Sequence, residues 1–69
     1  MIVITIETRN SVFEGDGWGV ESARILRECA NFIEQWGSVT QLENRPLRDF
    51  NGNKVGLLTV DLSEHYRED

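Results

Sequence analysis

The stretch RDFNGNKVG, residues 48–56, decides how the rest of the chain is read. An aspartate and two asparagines around a glycine suit either a cation-binding loop or a tight reversal of the backbone. The cation reading fails on register. Counted from Asp49, an EF-hand needs glycine at its sixth position and a bidentate glutamate at its twelfth, and this chain has Lys54 and Val60 there. The turn reading has a direct warrant, because Asn-Gly suits a type I′ turn, in which both central residues take positive φ. A two-residue turn at Asn51-Gly52 sets strands over residues 47–50 and 54–62 and places Asp49 opposite Lys54 as a cross-strand charge pair. The apolar phase slips between Val55 and the pair Leu58 and Val60, which predicts a bulge at or near Gly56.

Upstream, SVTQLENRP (residues 38–46) is polar and irregular, and Pro46 lacks a backbone donor, so the segment reads as a connection inside the domain. Residues 20–36 carry a helical period. On a helical wheel Phe32, Ile25, Trp36, Cys29, Ile33, Leu26, Ala30 and Ala23 fall in one half, and charged and amide side chains fill the other. Gly37 stands where a helix ends. The apolar arc, roughly 180°, is wider than the ~100° needed to cover one sheet face, so the edge formed by Ile25, Phe32 and Trp36 is expected to stay partly exposed. Before the helix, NSVFEGDGWG reads as a loop with one short turn, in which Ser11 and Glu14 have the spacing of a capping box and three glycines let Trp18 and Val20 turn inward. The opening MIVITIETR alternates, with Ile2, Ile4 and Ile6 on one face and Val3, Thr5 and Glu7 on the other, as a half-buried strand does. Residues 63–69 read as a polar tail. The expected architecture is one α+β domain over residues 1–62, a two-layer sandwich of one amphipathic helix on a three-stranded sheet, in the order β-α-β-β.

Sixty-nine residues lie near the lower limit for a self-supporting core. With 39% hydrophobic residues and no cysteine pair, burial and chain entropy come close to balance, so a monomer and a homodimer both fit. A single cysteine and no charged-then-apolar leader point to a reducing cytoplasm, and the apolar runs are too short to span a membrane. The net charge of −5 disfavours nucleic acid and anionic lipid as partners and favours a protein with a basic surface.

The side chains that carry chemistry form no catalytic constellation. GDGWG lacks the following Lys-Ser or Lys-Thr of a phosphate loop and is ringed by Glu14, Asp16 and Glu21. Cys29 falls on the apolar helix face, where cysteine behaves as a small hydrophobe. His65 is the only histidine, too few for a triad or a zinc site. Carboxylates such as Glu7 and Glu14 read as solvated charge. An enzyme, a metal and a cofactor are therefore not expected. What remains is surface. Glu14, Asp16, Glu21 and Glu28 lead into the polar helix face, while Trp18 and Trp36 suit the core or its rim better than an exposed hot spot.

The segments TIETRNSVF, ARILREC and LRDFNGNKVG, taken together, resemble small, largely uncharacterised α/β proteins of tailed phages and prophages. In that group a first strand ending Glu-Thr-x-Asn, a helix with Ala-Arg-Ile-Leu-Arg and a Leu-Arg-Asp-x-Asn-Gly-Asn hairpin recur in this order. The likeness runs from about Ile4 to Leu58. It implies a fold and a phage setting, brings no catalytic or ligand residue with it, and does not include Trp18 or Trp36. With the small size and negative charge, it leads to the expectation of a non-enzymatic inhibitor in the host cytoplasm. Such a protein would bind a nucleic-acid-targeting defence complex of the host, of the anti-CRISPR or anti-restriction type, through Glu14, Asp16, Trp18, Glu21, Glu28, Phe32 and Trp36. The alternative expectation is an accessory structural or regulatory module that acts by self-association or apolar contacts.

The register argument makes a direct prediction about residues 49–54. Thermal melts with excess Ca²⁺ and with EDTA should share one midpoint, and a calcium-dependent rise of several degrees would restore the cation loop.

Overall fold

The structure, a computed structural model, describes residues 1–35 and 42–62. Strand β1 (Ile2–Ile6) leads through a 3-10 turn (Ser11–Phe13) into helix α1 (Gly17–Gln35), followed by β2 (Leu42–Arg48) and β3 (Lys54–Asp61). The sheet is antiparallel with β3 in the middle, in the order β1-β3-β2. This is the expected α+β architecture, with its elements in the expected order.

Three contacts fix where the helix sits. The Arg45 guanidinium lies 3.8 Å from the centroid of the Phe32 ring. Arg24 Nη2 donates to the Arg48 carbonyl at 3.1 Å, and the Phe50 amide donates to Glu21 at 2.8 Å. Residues 21 to 32 of the helix and residues 45 to 50, the end of β2 and the start of the hairpin loop, therefore run side by side in opposite directions, each covering about 16 Å. The helix is seated over β2 and β3. Ile25 and Cys29 from the helix, Leu47 from β2, Val55, Leu58 and Val60 from β3, and Phe13 from the 3-10 turn make the core, with Ile6, Val12, Phe32 and Leu62 packed around it.

The bulge falls where the sequence puts it. Leu47 pairs with Gly56 and Arg48 with Lys54, which leaves Val55 as the extra residue of β3 and turns its side chain into the core. Gly56 is required for another reason, since a β-carbon there would lie inside the Thr5 carbonyl of the adjacent strand. Here the backbone of β1 comes closer to β3 than any side chain allows.

Several expectations are corrected. The hairpin loop is not a two-residue type I′ turn, because Asn51 does not take positive φ and only Gly52, at 90°, does so in this loop. Asp49 donates its amide to the Asn53 carbonyl and its own carbonyl accepts from Gly52, both at 2.9 Å. Phe50, Asn51 and Gly52 thus form a three-residue loop, with the glycine in the left-handed position that such loops require. It is Arg48, not Asp49, that faces Lys54, so the charge pair is absent. Strand β2 begins at Leu42, inside the segment read as a connection. It tolerates Pro46 because β2 is an edge strand, where a missing donor can face solvent. Asn10, not Ser11, caps the 3-10 turn, accepting from the Val12 amide at 3.1 Å, and Glu14 lies at its far end. The helix starts at Gly17, where only glycine clears the Val12 carbonyl. Trp18 and Val20 point outward, 62% and 74% exposed. The expected stop at Gly37 and the polar tail lie outside the described residues.

The apolar arc of α1 is rotated from its expected seat. Ile25 is buried and Phe32 half-buried, whereas Leu26 and Ile33 on the opposite flank are exposed. The helix has turned toward β2 because Glu21, Arg24 and Phe32 all have partners there, and strand β1 loses its cover. Ile2, Val3 and Ile4 are all exposed, so β1 is open on both faces over these residues, and the expected half-burial holds at Ile6, which packs against the core.

Gly56→Ala should lower the urea midpoint by the equivalent of about 1–3 kcal/mol, the range for forcing volume into a closed space. Gly19→Ala is the control: its β-carbon meets nothing within 4 Å, and alanine should stabilise the helix by about 0.5–1 kcal/mol. Equal midpoints for the two variants would contradict the close strand approach.

Candidate functional site

The densest polar cluster joins the hairpin loop to the helix. Asp49, buried at 4% exposure, accepts from the amides of Asn51 and Asn53 at 2.9 Å each, from Asn53 Nδ2 at 3.3 Å and from Asn10 Nδ2 at 2.7 Å. The side chain of Asn10 also caps the 3-10 turn, so one aspartate ties the loop after β1 to the loop before β3. Beside it Glu21, also buried, receives both nitrogens of the Arg24 fork, at 3.1 and 2.7 Å, together with the Phe50 amide at 2.8 Å. Arg24 reaches further, to Glu28 at 2.8 Å and to the Arg48 carbonyl.

These carboxylates are held ionised. For Asp49, burial pushes the carboxyl upward, but the donors from Asn53, Asn51 and Asn10 outweigh it and set the pKa below the ordinary 3.8. For Glu21, the hydrogen bonds from Arg24 lead, and the Phe50 amide adds to them. Together they hold it below the ordinary 4.5 against burial and the neighbouring Asp49 charge. A general acid needs the opposite shift. The cluster organises the loop and joins it to the helix. Cys29 is buried, and its thiol is pushed up by desolvation and then by Glu28, away from the thiolate a nucleophile needs. Among the described residues, no group of three or more His, Cys, Asp or Glu side chains could hold a metal ion, and no helix is long and apolar enough to cross a membrane.

The residues expected to bind a partner are dispersed. Glu21 is internal, and Glu28 is exposed but shares its carboxylate with Arg24. Glu14 and Asp16 are exposed next to Trp18, which is on the surface and not in the core. Phe32 is half-buried under Arg45, in a shallow groove shared with Glu28, Pro46 and Arg48. Trp36 lies outside the described residues.

The structure gathers a different set. Ile2 and Ile4 are exposed on the helix-bearing face of β1, Val3 is exposed on its other face, and Leu26 and Ile33 are exposed on the helix flank turned away from β2, which in this sheet order is the β1 side. Sequence reasoning assigned all five to the core or left them unremarked. The available signal was Val3, an apolar residue on the face of the alternating strand that should have been polar. Comparison of the chain with protein-family models, with curated proteins and with solved structures finds no match.

Acid should reveal the cluster. Both folded-state pKa values lie below their unfolded values, so the stabilisation is complete above the ordinary 3.8 and 4.5 and is lost as pH falls through the depressed values. Thermal melts from pH 7 to pH 2 should show a steep loss of Tm below about pH 4. Asp49→Asn should start lower at pH 7 and fall less steeply. An acid limb as steep as that of the wild type would mean that Asp49 is not the titrating group.

Proposed function

We propose that this protein is a non-enzymatic interaction module that works by self-association through an apolar band, in the manner of an accessory structural or regulatory component. The observation that carries this reading is the band itself. Ile2 and Ile4 on an edge strand and Leu26 and Ile33 on the helix flank of that side are exposed on one face of the sheet, with Val3 exposed on the other, while Glu21 is internal and Glu28 is paired with Arg24. A chain this small gains the most from covering such a surface, because its core has seven buried apolar side chains among the described residues. Monomeric proteins rarely expose contiguous apolar patches larger than a few hundred Å².

A second reading is favoured by the exposed Glu14, Asp16 and Trp18 at the first turn of the helix. In it the protein docks on a basic surface of another protein, as an inhibitor of a host defence complex would. That reading draws its phage setting from the sequence resemblance, and its acidic face has shrunk from four residues to two.

Analytical ultracentrifugation separates the two. Self-association predicts a mass of twice 7.9 kDa at micromolar concentration, kept at 0.5 M salt because apolar contacts are not screened. Leu26→Glu should reduce it to one copy, whereas Glu14→Lys with Asp16→Lys should not. A single-copy mass up to millimolar concentration would overturn the apolar reading and leave the acidic one.

A further inference from the structure

Strand β1 specifies how a second copy would seat. The Asp61 amide donates to the Met1 carbonyl at 2.9 Å and the Glu7 amide donates to the Val55 carbonyl at 2.6 Å. In an antiparallel pair the bonding residues alternate, so the odd-numbered residues of β1 direct their backbone groups at β3. Those of Ile2, Ile4 and Ile6 point the other way, off the edge of the sheet. From Met1 to Ile6 no side chain is charged, and the strand contains no proline and no glycine. The other edge differs. β2 carries Glu43, Arg45, Pro46 and Arg48, the kinds of residue that keep an edge from pairing.

Building on the self-association reading, we propose that two copies join β1 to β1 across a twofold axis. The strands run antiparallel with Ile4 opposite Ile4 of the second copy and Ile2 opposite Ile6. This register makes every outward-facing amide and carbonyl of Ile2, Ile4 and Ile6 meet its complement, because only pairings between residues of the even set place donor against acceptor. The twofold stands perpendicular to the sheet, so both helices lie on one face of a continuous six-stranded sheet. The exposed flanks, with Leu26 and Ile33, then face each other over a trough floored by Ile2 and Ile4 of both copies. The interface is isologous and closes on itself, and the two strands left at the ends are the guarded β2 edges. The acidic Glu14 and Asp16 lie outside the pairing strand, which lets two chains of charge −5 approach through their uncharged sides.

Cysteine substitution reads the register. Residues opposed in a hydrogen-bonded antiparallel pair have α-carbons about 5.5 Å apart, within disulfide range. Cys29 is 1% exposed, so an introduced thiol on β1 is the accessible one. Under mild oxidation Ile4→Cys should give covalent dimer on the order of tenfold more readily than Ile2→Cys, because Ile2 and its copy are offset by four residues, about 13 Å. Ile4→Pro, which deletes an outward amide, should give a single-copy mass with an unchanged circular dichroism spectrum. If Ile4→Pro unfolds, the cysteine pair still decides. A doubled wild-type mass with no preference for Ile4→Cys over Ile2→Cys overturns this arrangement while self-association stands. A single-copy wild-type mass overturns both.

Discussion

The carboxylate of Asp49 is the constraint on which the rest of the structure depends. A loop of three residues between two strands leaves several backbone amides pointing inward at one spot, and a buried amide without an acceptor costs about 1–3 kcal/mol. Asp49 supplies that acceptor to Asn51 and Asn53, and its remaining capacity takes Asn10 from the loop after β1. Once the loop is closed in this way, the Phe50 amide is presented toward the helix, where Glu21 receives it. Glu21 is in turn braced by Arg24. The chain of bonds therefore runs from the turn after β1, through the hairpin, to the first turns of α1. It holds the helix over β2 together with the apolar contacts of Ile25, Cys29 and Phe32.

That polar clamp explains why the apolar surface is arranged as it is. A helix placed by hydrophobic burial alone would center its wide arc on the sheet and cover all three strands. Glu21, Arg24 and Phe32 instead draw it toward β2, and the far half of the arc is left over the edge of the molecule beside an uncharged strand. The exposed band is a consequence of where the charged groups had to be satisfied. Polar and apolar parts of the chain thus divide the work: the carboxylates position the elements, and the isoleucines and leucine beyond their reach stay uncovered.

Much of the fold is legible in the sequence, and the reasons differ by element. The period of two in MIVITI, the helical wheel of residues 20–36 and the phase slip at Gly56 are backbone signals, and each corresponds to an observed feature. Asn-Gly correctly marks the hairpin but not its loop length, because a three-residue loop needs a positive φ at Gly52 alone and then tolerates Asn51 in an ordinary conformation. Glycine at position 17 reads as loop by propensity, although here it opens the helix for want of space. The site was less legible. Glu21 looks like any other surface acid on a helical wheel, and only the hairpin folding back onto the helix buries it. Periodicity also reports how wide an apolar face is, not which flank the rest of the chain will cover, so the exposure of Leu26 and Ile33 in place of Ile25 could not be read.

The hairpin loop also bears on how this protein ages. Asn-Gly is the dipeptide most prone to lose its side-chain amide, because the following nitrogen attacks the asparagine side-chain carbon to form a succinimide. In this fold the Gly52 nitrogen is tied to the Asp49 carbonyl at 2.9 Å and the Asn51 amide is held by the Asp49 carboxylate. The attacking atom cannot swing toward its target while both bonds stand. Conversion of Asn51 to aspartate or isoaspartate must therefore wait for the loop to open, and its rate in stored protein is a clock for that opening. Each conversion would also place a new negative charge at the hairpin tip, near a carboxylate that cannot move away.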